Sequence, residues 1–87
     1  MSAHRNPVRR GRLLGGRKQA RVETPDGKVH VLNPSARAIW ELCDGETTPA
    51  EMAAAVAAAT GLDPQVALGQ VEETLASFAR LGLVDPG

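Results

Sequence analysis

Apolar and polar residues along this chain follow two different periods, and the change from one to the other falls near residue 33. Residues 18–24 (Lys-Gln-Ala-Arg-Val-Glu-Thr) and 28–32 (Lys-Val-His-Val-Leu) read as extended runs on either side of Pro25-Asp26-Gly27. A proline-to-glycine turn between two such runs predicts a β-hairpin. Leu13-Leu14 enter an earlier strand, bent by Gly15-Gly16. Residues 1–10 are polar and basic and show no apolar period, so they are expected to form a flexible basic N-terminal arm or a ragged first strand, leaving 11–87 as a single domain.

Beyond residue 33 the period becomes helical. Three helix starts are marked in the same way, by a capping residue followed by proline: Asn33-Pro34, Thr48-Pro49 and Asp63-Pro64. Proline at the first helical position lacks only a donor that the helix could not use, and its fixed φ suits the first turn. Glu51 stands three residues after Thr48 and completes a reciprocal capping box. The first helix sets Ala36, Ile39, Trp40 and Cys43 on one stripe and ends at Asp44-Gly45. The second, over 49–60, is mostly alanine, with Met52 and Val56 as its large anchors. The third, over 64–81, aligns Leu68, Val71, Leu75 and Phe78 and stops at Gly82. A hairpin followed by three helices predicts an α+β, winged helix-turn-helix-like domain.

Composition sharpens this picture in two ways. At 87 residues, with one Trp, one Phe and no Tyr, the chain supports one domain with a thin core. Cys43 is the only cysteine, which rules out an intramolecular disulfide and gives no support to a cysteine-based zinc site. No apolar run approaches the roughly 20 residues that span a bilayer, and the arginine-rich start lacks the apolar stretch of a secretory signal. The expected setting is cytoplasmic, with no membrane partner.

The net charge of zero conceals two opposed halves. Residues 1–28 hold eight cations (Arg5, Arg9, Arg10, Arg12, Arg17, Lys18, Arg21 and Lys28) against Glu23 and Asp26, whereas the remainder holds Arg37 and Arg80 against eight acidic residues. Such asymmetry is compatible with a nucleic-acid arm, an acidic partner, attraction between the two halves, or a solvated face.

Catalytic chemistry has few candidates. His4 falls in the arm, and His30 shares the strand parity of Leu32, which favours an inward structural side chain. Cys43 lies on the apolar stripe of the first helix, where a buried, inert thiol is the default. Glu72 and Glu73 are helix neighbours whose side chains diverge. Gly15-Gly16 falls short of a phosphate-cradling loop. No enzyme activity, cofactor or metal is expected.

Binding is the better reading. A winged helix invites comparison with DNA-binding regulators, but the third helix carries Glu72 and Glu73 against Arg80, so DNA contact would rest on the basic arm and read little sequence. That competing reading predicts no specific nucleic acid through the helix. A small sheet with a free edge accepts a peptide strand through main-chain hydrogen bonds, and the strand over 28–32 is the candidate edge. Ala67, Gln70 and Thr74 form a flank of small or polar side chains on the third helix. They either leave a shallow groove beside the strand or close into an ordinary helix–sheet interface.

The combination Leu32-Asn33, Ala36, Ile39-Trp40, Leu42, Asp44-Gly45, Thr48 and Glu51, followed by Val71, Leu75 and Gly82-Leu83-Val84, resembles the PqqD-like family over about residues 28–84. The resemblance implies a precursor-peptide recognition element of three antiparallel strands followed by three helices. Such an element binds the leader of a ribosomally made peptide and presents it to a modifying enzyme, such as a leader peptidase of the lasso-peptide kind or a radical SAM enzyme. In that family the leader typically adds to the third strand and packs beside the third helix. Carried over residue by residue, the implied peptide-binding set is Lys28, Val29, His30, Val31 and Leu32, with Ala67, Gln70, Val71, Thr74 and Phe78. Two departures stand out: Pro34 occupies a place that is often acidic or polar, and the second helix is unusually rich in alanine.

Overall fold

The computed structural model describes residues 6–15 and 19–85. Five strands and three helices follow in the order β1 (Val8–Arg9), β2 (Arg12–Gly15), β3 (Ala20–Glu23), β4 (Val29–Leu32), α1 (Pro34–Glu41), α2 (Pro49–Thr60), α3 (Pro64–Leu81) and β5 (Val84–Asp85). The fold is α+β, with a three-stranded antiparallel sheet in the order β2-β3-β4 followed by three helices. None of the helices among the described residues is long and apolar enough to cross a membrane.

The β3–β4 hairpin closes as its turn residues require. The Gly27 N–H donates to the Thr24 carbonyl at 2.9 Å, the Thr24 N–H donates to the Lys28 carbonyl at 2.8 Å, and Gly27 takes φ 87°. A side chain disfavours that left-handed conformation and glycine does not. The Thr24 hydroxyl, in a buried residue, also bonds the Asp26 carboxylate and holds it below the usual carboxylate range.

All three expected caps form. The Asn33 side chain accepts from the Ala36 N–H at 2.8 Å, Asp63 accepts from the Gln65 N–H at 2.8 Å, and Thr48 and Glu51 bond reciprocally at 3.1 and 2.9 Å. Proline occupies the first turn of each helix. With their starts set in this way, the helices deliver Ile39, Trp40, Met52, Ala53, Ala67, Val71 and Phe78 to one core with Ala20, Val22 and Leu32 of the sheet.

Two expectations need correction. The sequence pattern puts Ala67 on the small-residue flank of α3, but it is fully buried. Ala67, Val71 and Phe78 fall within about 40° of helical arc and define the innermost line, while Leu68 and Leu75 are displaced to a half-buried flank. The buried arc is wide because α3 packs extensively on α2 as well as contributing to the core beneath the sheet. The second concerns the N-terminal segment, where residues 8–9 take the strand alternative and not the flexible one. Val8 pairs with Asp85 and Arg9 with Val84, Pro7 is buried, and the Gly45 N–H donates to the Pro7 carbonyl at 2.9 Å. Residues 6–10 are thus part of the fold; residues 1–5 of the expected arm, and Gly16, lie outside the described residues.

One buried carbonyl links the two ends of the chain to α1. The Leu83 C=O accepts from the Trp40 indole Nε1–H at 3.0 Å and from the Arg10 N–H at 2.8 Å, and the Arg9 guanidinium lies 5.9 Å from the Trp40 ring centroid. Replacing Trp40 with Phe removes the indole donor while keeping an aromatic ring. The expected loss is about 1–2 kcal/mol of unfolding free energy. It should be measured as a lower urea midpoint with unchanged slope, accompanied by faster hydrogen exchange at Val8 and Arg9.

Candidate functional site

Two edges of the three-stranded sheet have no strand partner among the described residues, and they are not alike. β2 carries Arg12, ion-paired with Glu23 at 3.1 Å, and its register with β3 shifts between Leu13 and Gly15. A charge and an irregularity are features that blunt an edge against further pairing. β4 has neither. Its four residues, Val-His-Val-Leu, pair with β3 without a shift: Glu23 with Val29, Val22 with His30, Arg21 with Val31 and Ala20 with Leu32.

Main-chain direction follows from the same register. Because the Lys28 carbonyl accepts from the Thr24 N–H, the antiparallel alternation turns the peptide groups of His30 and Leu32 toward β3. Those of Val29 and Val31 therefore point to the open side. Side chains alternate as well. Val29 and Val31 are 49% and 58% exposed, on the sheet face that also carries Arg21 and Glu23, while His30 and Leu32 share the inner face with Val22 and Ala20.

Each residue of the expected peptide-binding set now has a place. Lys28, Val29 and Val31 are exposed along the edge, His30 is half-buried and Leu32 is buried. On α3, Ala67, Val71 and Phe78 are buried in the same core as Leu32, Gln70 is exposed and Thr74 is half-buried. By burial the set divides into an accessible edge (28, 29, 31), a helix flank (70 exposed, 74 half-buried) and residues packed in the core (32, 67, 71, 78), with His30 half-buried. β4 contributes no residue to the hollow of about 390 Å³ lined by Thr24, Pro25 and Leu81, nor to the apolar one of about 120 Å³ between α1 and α2. What β4 presents is an edge, not a cavity. The outward direction of Val29 and Val31 could have been read from the hairpin turn alone, since the Pro-Asp-Gly turn sets the register. The bulge in β2 had only Gly15-Gly16 as its signal, and the β1–β5 pair is too short to show a period.

Among the described residues no group of three His, Cys, Asp or Glu side chains is placed to hold a metal ion. The carboxylate of Asp44 accepts from the N–H groups of Thr47 at 2.7 Å and Glu46 at 2.9 Å and from the Thr47 hydroxyl at 3.0 Å, and these bonds hold it below the usual carboxylate range. Its role is to shape the turn between α1 and α2. Burial pushes the Cys43 thiol up to about 11, and its Sγ donates to the Ile39 carbonyl at 3.2 Å.

The architecture defines a winged helix-turn-helix-like α+β domain with a smooth, unpaired strand at one sheet edge. Residues 13–84 match the family model described as coenzyme PQQ synthesis protein D (PqqD), and the chain belongs to that family. No curated protein and no solved structure matches it significantly.

At pH 8 the thiolate of Cys43 is scarce in the folded state and its sulfur is enclosed. A thiol reagent such as DTNB should therefore label it slowly in buffer and rapidly in denaturing urea. Fast stoichiometric labelling of the folded chain would contradict the packing described.

Proposed function

We propose that this chain is a non-catalytic adaptor that binds the leader segment of a ribosomally made precursor peptide by β-strand addition and delivers it to a maturation enzyme. The observation that carries this reading is the β4 edge: regular in register, and open along a side to which Val29 and Val31 turn their main-chain groups. Backbone bonds to those two residues supply affinity, and the neighbouring side chains supply selectivity. Gln70 and Thr74 are the accessible residues of the expected α3 set; Leu32, Ala67, Val71 and Phe78 support the site from the core.

Membership of the PqqD family supports the same reading, because its name ties the family to coenzyme synthesis. The enzyme served is a radical SAM protein, a leader peptidase or another modifier, and the work is cytoplasmic, where such precursors are translated. Holding the leader raises the local concentration of the remainder of the peptide at that enzyme. Recognition of DNA through α3 is disfavoured by the exposed Glu72 and Glu73.

The test searches the neighbouring genes for a short precursor and titrates a synthetic leader made from it into ¹⁵N-labelled protein. Amide shifts should concentrate at residues 28–33, with weaker ones at Gln70 and Thr74. Val31→Pro removes an N–H that faces outward and leaves the β3 ladder intact, so the variant should fold. It should bind the leader about tenfold more weakly. Unchanged affinity in a variant with native circular dichroism, or shifts centred on β2, would overturn the proposal.

A further inference from the structure

The edge strand carries one polar group that the free chain leaves unanswered. Nε2 of His30 is shielded from solvent and, among the described residues, has no hydrogen-bond partner. An unmet buried nitrogen is costly, since it has given up water and received nothing in return. The ring belongs to the inner face of β4, opposite to the face of Val29 and Val31, in a residue that is only half-buried. On one side lies Val22 of β3, which is apolar and fully buried. The other side is the open edge. A strand laid along β4 can bring a partner without dismantling the hairpin, once rotation of the ring about χ2 turns a nitrogen toward the open edge.

Register decides what that strand would bring. If Val29 and Val31 exchange main-chain bonds with the incoming chain in antiparallel sense, the residue opposite His30 occupies a non-hydrogen-bonded position, where paired side chains approach most closely. That residue also points to the inner face. We infer that His30 is a specificity-determining residue of the β4 site, and that it selects a peptide with a hydroxyl side chain (Ser, Thr or Tyr) at the position opposite it.

A hydroxyl meets the need in either neutral tautomer of the imidazole, because it both donates and accepts. A half-turn about χ2 exchanges the edges of the ring and brings either nitrogen toward the incoming group. An aliphatic residue at the same position would enclose the nitrogen further and leave it unpaired. The residues on either side, opposite Val29 and Val31, face two exposed β-branched side chains, so the preferred segment reads apolar, hydroxyl, apolar. This inference rests on the strand-addition reading and adds to it the identity of one recognised side chain.

The experiment selects binders from a random linear 12-residue phage-displayed library on the intact protein, then synthesises one enriched peptide and its Thr→Val counterpart at the central position. Enriched sequences should carry Ser, Thr or Tyr between two apolar residues. The Thr→Val peptide should bind the native protein about tenfold more weakly. His30→Leu should erase that difference, and His30→Gln, which keeps a side chain able to donate and accept, should restore part of it. Equal binding of the two peptides to the native protein, or a difference that persists in His30→Leu, overturns the role of His30. The two readings fail separately: peptides whose capture is abolished by Val31→Pro but which show no hydroxyl preference sink only this inference. Peptides insensitive to Val31→Pro, or a library from which nothing is enriched, sink strand addition and this inference together.

Discussion

The Leu83 carbonyl is the point on which the arrangement of this small domain turns. It accepts from the Trp40 indole and from the Arg10 main chain, and so ties the end of α1, the segment after α3 and the N-terminal strand into one node. The surrounding bonds reinforce it: the Arg9 N–H reaches the Cys43 carbonyl at 2.7 Å, and the Arg9 guanidinium reaches the Glu41 carbonyl at 2.9 Å. Their combined effect is to commit Val8–Arg9 to β5. A basic N-terminal segment with strand character could have closed the sheet at β4 instead. Because Val8–Arg9 are held on β5, β4 keeps an unpaired side among the described residues.

That open side is tolerable because the strand is short and its inner residues are anchored. Leu32 is buried in the core, and the tight hairpin turn holds the other end at Thr24 and Lys28. Unpaired edges invite indiscriminate pairing, and proteins usually blunt them with charges, bulges or proline. Here only β2 is so treated, by Arg12 and a register shift. The contrast between two edges of one sheet says more than either edge alone, since a general need for solubility would blunt both.

Much of this was legible in the sequence, and for identifiable reasons. The helix starts were marked by local chemistry, a capping side chain followed by proline, which depends little on tertiary context; Pro34, Pro49 and Pro64 each open a helix. The hairpin followed from Pro25-Asp26-Gly27 for the same reason. Contacts between distant segments were not legible. β1 and β5 have two residues each, too few for any period, and they pair beside the Trp40–Leu83 bond, which joins residues 43 apart. The innermost line of α3 lies one flank away from the row of large residues. Large residues at Leu68 and Leu75 suggested the innermost line, whereas the close approach of neighbouring elements reserves it partly for Ala67. Of the candidate site, the edge strand and the inward parity of His30 were readable from alternation; the absence of a partner for Nε2 required the packed structure.

A main-chain berth raises a difficulty that its side chains must resolve. Backbone hydrogen bonds to Val29 and Val31 are available to almost any extended peptide, so they contribute affinity with little discrimination. Discrimination has to come from groups that penalise the wrong neighbour, and a penalty is largest where a polar atom has already been cut off from water. The outer-face valines are poor instruments for this, because they are half exposed and accept most apolar partners. The inner face is better suited: it carries Val22 and Leu32 and, among the described residues, the one enclosed side-chain nitrogen without a partner. A thin core with one tryptophan and one phenylalanine shapes no deep pocket at β4, and the hollows beside Thr24 and between α1 and α2 take no residue from that strand. Selectivity in such a domain therefore concentrates in one unmet hydrogen bond placed along an otherwise permissive edge.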